Sequence, residues 1–378
     1  MKAEITNSLL LLITISMLFL ATLAGDYKRV FGRYGYTECI SGDLNVIIII
    51  PHGGRLKPPD IPDRHNGCDY DKDKNECRWS HNCSVEKRDP ENCAPVLSSD
   101  ALTIDLAKRV ANDLKVFLGK RPHVIISHLH RSKMDANRAI EEAAFNNTYA
   151  KAAWEDFHDY IGHAKASIHG RGILFDFHGQ SHPEGWVELG YLYRHDILDA
   201  GNLNPNSSSI RSLAQYADVS FEELIRGKTS FGGILQEFSY KTIPSPNFPS
   251  PKGRKYYRGG YNTRRHGSRY GGLIDAIQIE TPMILRHRET ISRYAEDLAR
   301  TIKKYLEIHY ATKTTPKPMD FITVKMDLNS TNEVIADIVQ ASHSKASTSC
   351  LESSAYITFL GPTFTLSLYM HVFIVHSV

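Results

Sequence analysis

Four short apolar runs constrain this chain more than anything else in it. They are NVIIIIPHGG (45–54), HVIISHLHR (123–131), GILFDFHGQ (172–180) and DAIQIETP (275–282). Continuous apolar runs of this length, stopped by Pro, Gly or charge, read as strands buried on both faces. Between the first two lies SSDALTIDLAKRVANDLKVFLG (98–119), with Leu102, Leu106, Val110 and Leu114 at helical spacing and Ser99 or Asp100 as the expected cap. Further helices are expected over 154–170 and 287–310. Strands alternating with helices predict an α/β fold, a sheet sandwiched between helical layers. Ligands of such sheets sit at the carboxyl ends of the strands. His52, His178 and Arg131 fall at that edge, and Glu280 comes late in its own run.

The 378 residues suffice for one large core or two modest ones. A net charge of +3 is too weak to mark nucleic acid or an anionic membrane surface as a general partner, so any preference for anions must come from local arginines. Residues 1–24 read as a signal peptide: Lys2 gives the positive start, Leu9 to Leu20 the apolar stretch, and Thr22, Leu23 and Ala24 a small-residue exit. The alternative is an uncleaved anchor, for which the run is short. Cys68, Cys77, Cys83 and Cys93 crowd into a polar, Pro-rich insertion (55–95), with Cys39 before it and Cys350 far away. His81 stands among them, yet the close Cys-x-x-Cys pairs of a structural zinc site are missing, so disulfides are expected. Sequons at Asn82, Asn146, Asn206 and Asn329 agree with a secretory route. The acidic stretch 69–76 lacks the Gly and Glu of a calcium loop, with Lys74 and Ser80 in their places, and is read as an acidic loop. Residues 311–354 form a polar linker. Residues 355–378 are an apolar tail that suggests a GPI-anchor signal, with a short membrane tail or an unrelated ending as alternatives. Either secretion or attachment to the outer face of the plasma membrane follows.

Eighteen histidines are present, and most must be structural. His52 and His178 differ because each follows a buried run and precedes a glycine, which lets backbone approach a ligand closely. Two histidines at one sheet edge suggest a metal site, and a catalytic zinc takes three protein ligands. Asp100, Asp176 and His182 are the candidates for the third; Asp176 shares a strand face with His178 and suits an orienting role. HRSKMDANR (130–138) reads either as a solvated loop or as an anion clamp, and GGYNTRRHG (259–267) repeats that chemistry with Arg264 and Arg265. Glu280 is costly to bury without a partner, and beside a metal it suits a general acid/base role; otherwise it is a salt-bridged strand-end residue.

PHGG, HRSKMDANR, DFHGQ, GGYNTRRHG and AIQIE occur here in the order and rough spacing of the N-formylglutamate amidohydrolase family, which the chain resembles over about residues 45–310. That family is related to the zinc carboxypeptidases and is similar to them in fold. The resemblance implies a three-layer α/β/α sandwich with a mixed central sheet, Zn2+ on His52 and His178, and Glu280 as the catalytic glutamate. It implies that Asn137 and Arg138 hold a substrate carboxylate, that Arg131 polarises a carbonyl or binds a carboxylate, and that Arg264 and Arg265 give a second anion contact. It places Asp100 as the third ligand. Two departures stand out. Arg55 occupies the place of the Glu in the carboxypeptidase His-x-x-Glu pattern, and the Cys-rich insertion and both termini differ from a cytosolic enzyme. The expectation is a zinc amidohydrolase that cleaves a C–N amide in a small carboxylate-bearing N-acyl amino acid or short peptide. A carboxypeptidase-like exopeptidase and an inactive binding protein on the same fold are its rivals. Oligomeric state is not legible.

Overall fold

The computed structural model describes residues 27–64, 69–71, 76–78 and 95–311. These belong to the first of two compact units, 1–322; the second, 323–378, lies outside the described residues. The expected signal peptide, the linker beyond residue 311 and the apolar tail also lie outside them. So do His81, Asn82, Asn329, Cys350 and the side chains of the four clustered cysteines. Asn146 and Asn206 are described and exposed.

An eight-stranded sheet organises the fold. Its strands are β1 (Arg29–Phe31), β2 (Thr37–Ile40), β3 (Val46–Ile50), β6 (His123–Ser127), β7 (Gly172–Gln180), β8 (Val187–Gly190), β9 (Thr242–Ile243) and β10 (Ile274–Pro282), in the spatial order β1-β2-β6-β3-β7-β10-β8-β9. The four apolar runs supply its centre: β6, β3, β7 and β10 are mutually parallel. β2 pairs antiparallel with β6, and β8 antiparallel with β10, so the sheet is mixed. Every residue of β3 is fully buried, as a strand covered on both faces requires. The acidic stretch expected as a loop contributes instead a hairpin, β4 (Asp69–Asp71) against β5 (Glu76–Arg78).

Ten helices are described: α1 (Thr103–Leu118), α2 (Ile140–Ala144), α3 (Thr148–Ser167), α4 (His195–Ala200), α5 (Arg211–Tyr216), α6 (Phe221–Arg226), α7 (Phe231–Gln236), α8 (Tyr261–His266), α9 (Met283–Arg286) and α10 (Ile291–His309). Strand alternation divides them between two faces. Val46, Ile48, Ile50, Phe175, Phe177, Ile277 and Ile279 share a core with Leu106, Val110 and Leu114 of α1, Leu298 and Ile302 of α10, and Ile234 of α7. The opposite face is covered by α3 against β2, β3 and β6, and by α8 against β7 and β10. Helix, sheet and helix therefore form three layers. Fully burying one such aliphatic chain contributes about 1.5–3 kcal/mol, which is why the interior pattern is so strict. Among the described residues, no helix is long and apolar enough to cross a membrane.

Helix α3 starts at Thr148, before the expected 154, because Asn147 caps it: its side chain accepts from Ala150 N at 3.0 Å. Helix α1 starts at Thr103 with no side-chain cap. The expectation that Ser99 or Asp100 caps it fails because both are engaged elsewhere. Ser99 Oγ donates to Gly54 O and accepts from Arg131 N, and the Asp100 carboxylate turns toward His178.

Candidate metal centre

His52 leaves the carboxyl end of β3, His178 sits near that of β7, and Asp100 lies just before α1. Two backbone N–H donors fasten the three. Asp100 N donates to His52 O at 2.9 Å, and Gly179 N donates to Asp100 Oδ2 at 3.1 Å. Three ligand atoms meet as a result. His52 Nδ1 lies 3.1 Å from His178 Nδ1, His178 Nδ1 lies 3.1 Å from Asp100 Oδ2, and His52 Nδ1 lies 3.4 Å from Asp100 Oδ2. All three residues are buried. Ligands about 2.0–2.1 Å from a tetrahedral ion stand roughly 3.3 Å apart. The triangle therefore has the dimensions of one face of such a coordination shell, with donors that suit a borderline cation.

The far nitrogen of each imidazole faces a buried carboxylate. His52 Nε2 is 2.6 Å from Asp135 Oδ1, and His178 Nε2 is 3.0 Å from Asp176 Oδ1. This arrangement leaves each Nδ1 free to accept a metal and sets the tilt of each ring. Asp135 is held in turn by Arg131 Nε at 2.8 Å, Asn137 N at 2.9 Å and Arg64 at 3.4 Å. Burial opposes ionisation of Asp135, but Arg131 and His52 outweigh it and hold the carboxyl well below its usual range. Burial likewise opposes charge on His178, and Asp176, Glu280 and Asp100 outweigh it, so its pKa is raised.

Glu280 completes the group from β10. Parallel register sets it beside His178, antiparallel register sets it beside Glu188, and its Oε1 is 4.0 Å from His178 Nδ1. Gln278 Nε2 donates to the same oxygen at 2.9 Å. Burial, helped by Asp100, Glu188 and Asp176 and opposed by His178, pushes the Glu280 carboxyl up to about 8. A cation in the triangle would draw it back down.

These groups open onto a cleft of about 580 Å³ whose walls include Arg131, Asn137 and Arg138. Asn137 Nδ2 lies 3.3 Å from His178 Nε2, and Asn137 Oδ1 accepts from Asn262 N at 2.9 Å. Arg138 is braced by Glu142 at 3.0 Å.

No family model matches the sequence, and no curated protein matches it. Among solved structures, the chain is similar to an N-formylglutamate amidohydrolase from Ralstonia eutropha, at 12% identity and a TM-score of 0.40, over 75% of this chain and 98% of that one. It is also similar to the N-acetylmuramyl-L-alanine amidase Ami1 from Mycobacterium smegmatis, at 11% identity and a TM-score of 0.29, over 69% of this chain and 96% of that one. Likeness at this level leaves the chemistry to be argued from the site.

Several residues stand elsewhere than expected. Arg264 and Arg265 do not line the cleft. They lie on α8, whose buried positions are Asn262, Thr263 and His266, and this turns both arginines outward. Arg265 instead stacks over Trp154 and donates to Tyr261. That segment reaches the cleft through Gly259 and Gly260. His182 is not a third ligand: it pairs with Glu188 at 2.7 Å and stacks on Tyr257. Arg55 is exposed, and the carboxylate that meets the two histidines is that of Asp100. The glycines after the two histidines make room for protein rather than for a ligand. A Cβ on Gly53 would meet the Ile104 and Thr103 side chains at 2.6 Å, and one on Gly179 would meet the Arg286 guanidinium at 2.3 Å. Asp135, Gln278, Arg194 and Arg258 were not singled out from the sequence; all but Asp135 line the cleft.

Proposed function

We propose that this chain is a zinc-dependent amidohydrolase that cleaves a C–N amide bond in a small carboxylate-bearing N-acyl amino acid or short peptide. The observation that carries the reading is the 3.1–3.4 Å triangle of His52, His178 and Asp100 with Glu280 at its edge. Two imidazoles and one carboxylate are a ligand set of hydrolytic zinc sites, and three protein ligands leave a position open. Zinc so held supplies Lewis-acid polarisation of a carbonyl and acidifies water. The protein's residues do the rest. Glu280 takes the proton from the attacking water on a carboxylate oxygen and returns it to the departing amine nitrogen. Asn137 and Arg138 grip the substrate carboxylate, and Arg131, pinned to Asp135, offers positive charge to the developing oxyanion. The signal-like start and the exposed sequons Asn146 and Asn206 support action in the secretory route or at the cell surface.

The test is metal content followed by turnover. The purified chain should carry about one zinc, lost in His178→Ala. Glu280→Gln should keep the metal and lose turnover of N-acyl glutamate by about 10²–10⁴-fold. A wild-type chain that takes up no metal when zinc is supplied would sink the reading and leave a binding protein on this fold.

A further inference from the structure

Away from Asp100 and Glu280, one wall of the cleft is cationic. Besides Arg131 and Arg138, its walls include Arg194, His195 and Arg258. Arg194 shares Asp196 at 3.0 Å. Burial and the like charges of Arg264, Arg194 and Arg269 lower the pKa of Arg258, with Asp196 opposing them. Arg194 and Arg258 both face the cleft here, an arrangement that favours an incoming anion.

The wall is built before any ligand arrives. Leu192 N donates to Arg258 O at 2.6 Å, and Tyr257 N donates to Glu188 Oε2 at 2.8 Å. Gly190 and Gly259 lie so close that a Cβ on Gly190 would stand 2.4 Å from Gly259 N. The segments that carry Arg194 and Arg258 are therefore bolted together. They are also near the metal triangle. A Cβ on Gly260 would meet Asn137 Nδ2 at 2.5 Å, and that amide is 3.3 Å from His178. Arg258 is two residues from Gly260, so their Cα atoms are at most about 7 Å apart. That is the span of one or two residues of a bound peptide. A cleft of about 580 Å³ also falls in the range, roughly 300–1,000 Å³, that takes molecules larger than one amino acid.

We infer that Arg194 and Arg258 form a second anion subsite, and that the substrate is a short acidic peptide whose second acidic side chain pairs with it, rather than a single N-acyl amino acid. This rests on the amide-hydrolysis reading and narrows it.

The test uses the full, zinc-loaded chain and two peptides, acetyl-Glu-Glu and acetyl-Glu-Gln. Binding is measured by calorimetry in a Glu280→Gln background, and turnover in the wild type. The subsite predicts that acetyl-Glu-Glu binds about tenfold tighter, as a charge-assisted pair would give. The preference should vanish in R258Q, weaken in R194Q, return in part in R258K, and fade as salt rises. Affinity for acetyl-Glu-Gln should fall far less in R258Q than affinity for acetyl-Glu-Glu does. Equal binding of the two peptides by the parent, or a tenfold preference that survives R258Q, overturns the subsite. If both peptides are turned over equally, the hydrolase reading stands and the subsite falls. If neither is bound nor cleaved, both fall.

Discussion

Asp135 accepts from His52, Arg131, Arg64 and the backbone of Asn137, and no other carboxylate of the site gathers as many donors. It is too far from the triangle to be a ligand and close enough to fix the ring of one. Asp135→Asn should therefore lower zinc affinity about 10–100-fold while leaving the ion bound at saturation, measured by competition with a chelator of known strength. That His52, Asp100, His178 and Glu280 would meet was legible because strand ends and a strand-to-helix junction place them. His52, His178 and Glu280 end apolar runs, and Asp100 opens a helical one. Asp135 was not, because one aspartate in a polar loop looks the same whether it caps a turn or orients a ligand. Arg264 and Arg265 show how a motif can be read without its placement. A pair of arginines in a Gly-rich motif suggests an anion site, but a six-residue helix turns them both outward.

At the scale of elements, Glu38 on β2 offers a pH test away from the metal. Burial alone would raise its carboxyl, but the hydrogen bond from His128 at 2.8 Å, with Arg29 and Lys108, outweighs this and brings it to about 2. A folded-state pKa below the unfolded 4.5 means stability that is present above pH 4.5 and lost as the pH falls toward 2. Glu38→Gln should cost about 2 kcal/mol at pH 7, with the gap between variant and parent closing below pH 4.5, read from urea unfolding. At the other end of the layer, Asn147→Ala should cost about 1 kcal/mol by uncapping α3. That cap was hidden in the sequence because the same Asn lies in an Asn-Asn-Thr stretch read as a sequon. The central strands were legible from apolar continuity. The edge strands β1 and β9, of three and two residues, and the short helices α4 to α8 were not, since neither period repeats within them.

At the scale of the molecule, five buried carboxylates (Asp100, Asp135, Asp176, Glu188 and Glu280) converge on one sheet edge. A cation among them would offset repulsion beyond what Arg131, Arg64 and the histidines already offset. Chelation should lower the melting temperature, and zinc at 100 times its dissociation constant should restore about 2.7 kcal/mol, roughly 5–10 °C for a domain of this size. Differential scanning fluorimetry with and without chelator measures this, and His178→Ala should show no such shift. Strand order carries one more consequence. The three residues of the triangle are encoded by residue 178, two of them at the ends of the paired strands β3 and β7, whereas β10 arrives about a hundred residues later and lies between β7 and β8. Chains emerge from the ribosome amino end first. On this reading, a half-synthesised molecule already owns a metal trap but no proton shuttle, so capture of the ion and competence to hydrolyse are acquired in sequence.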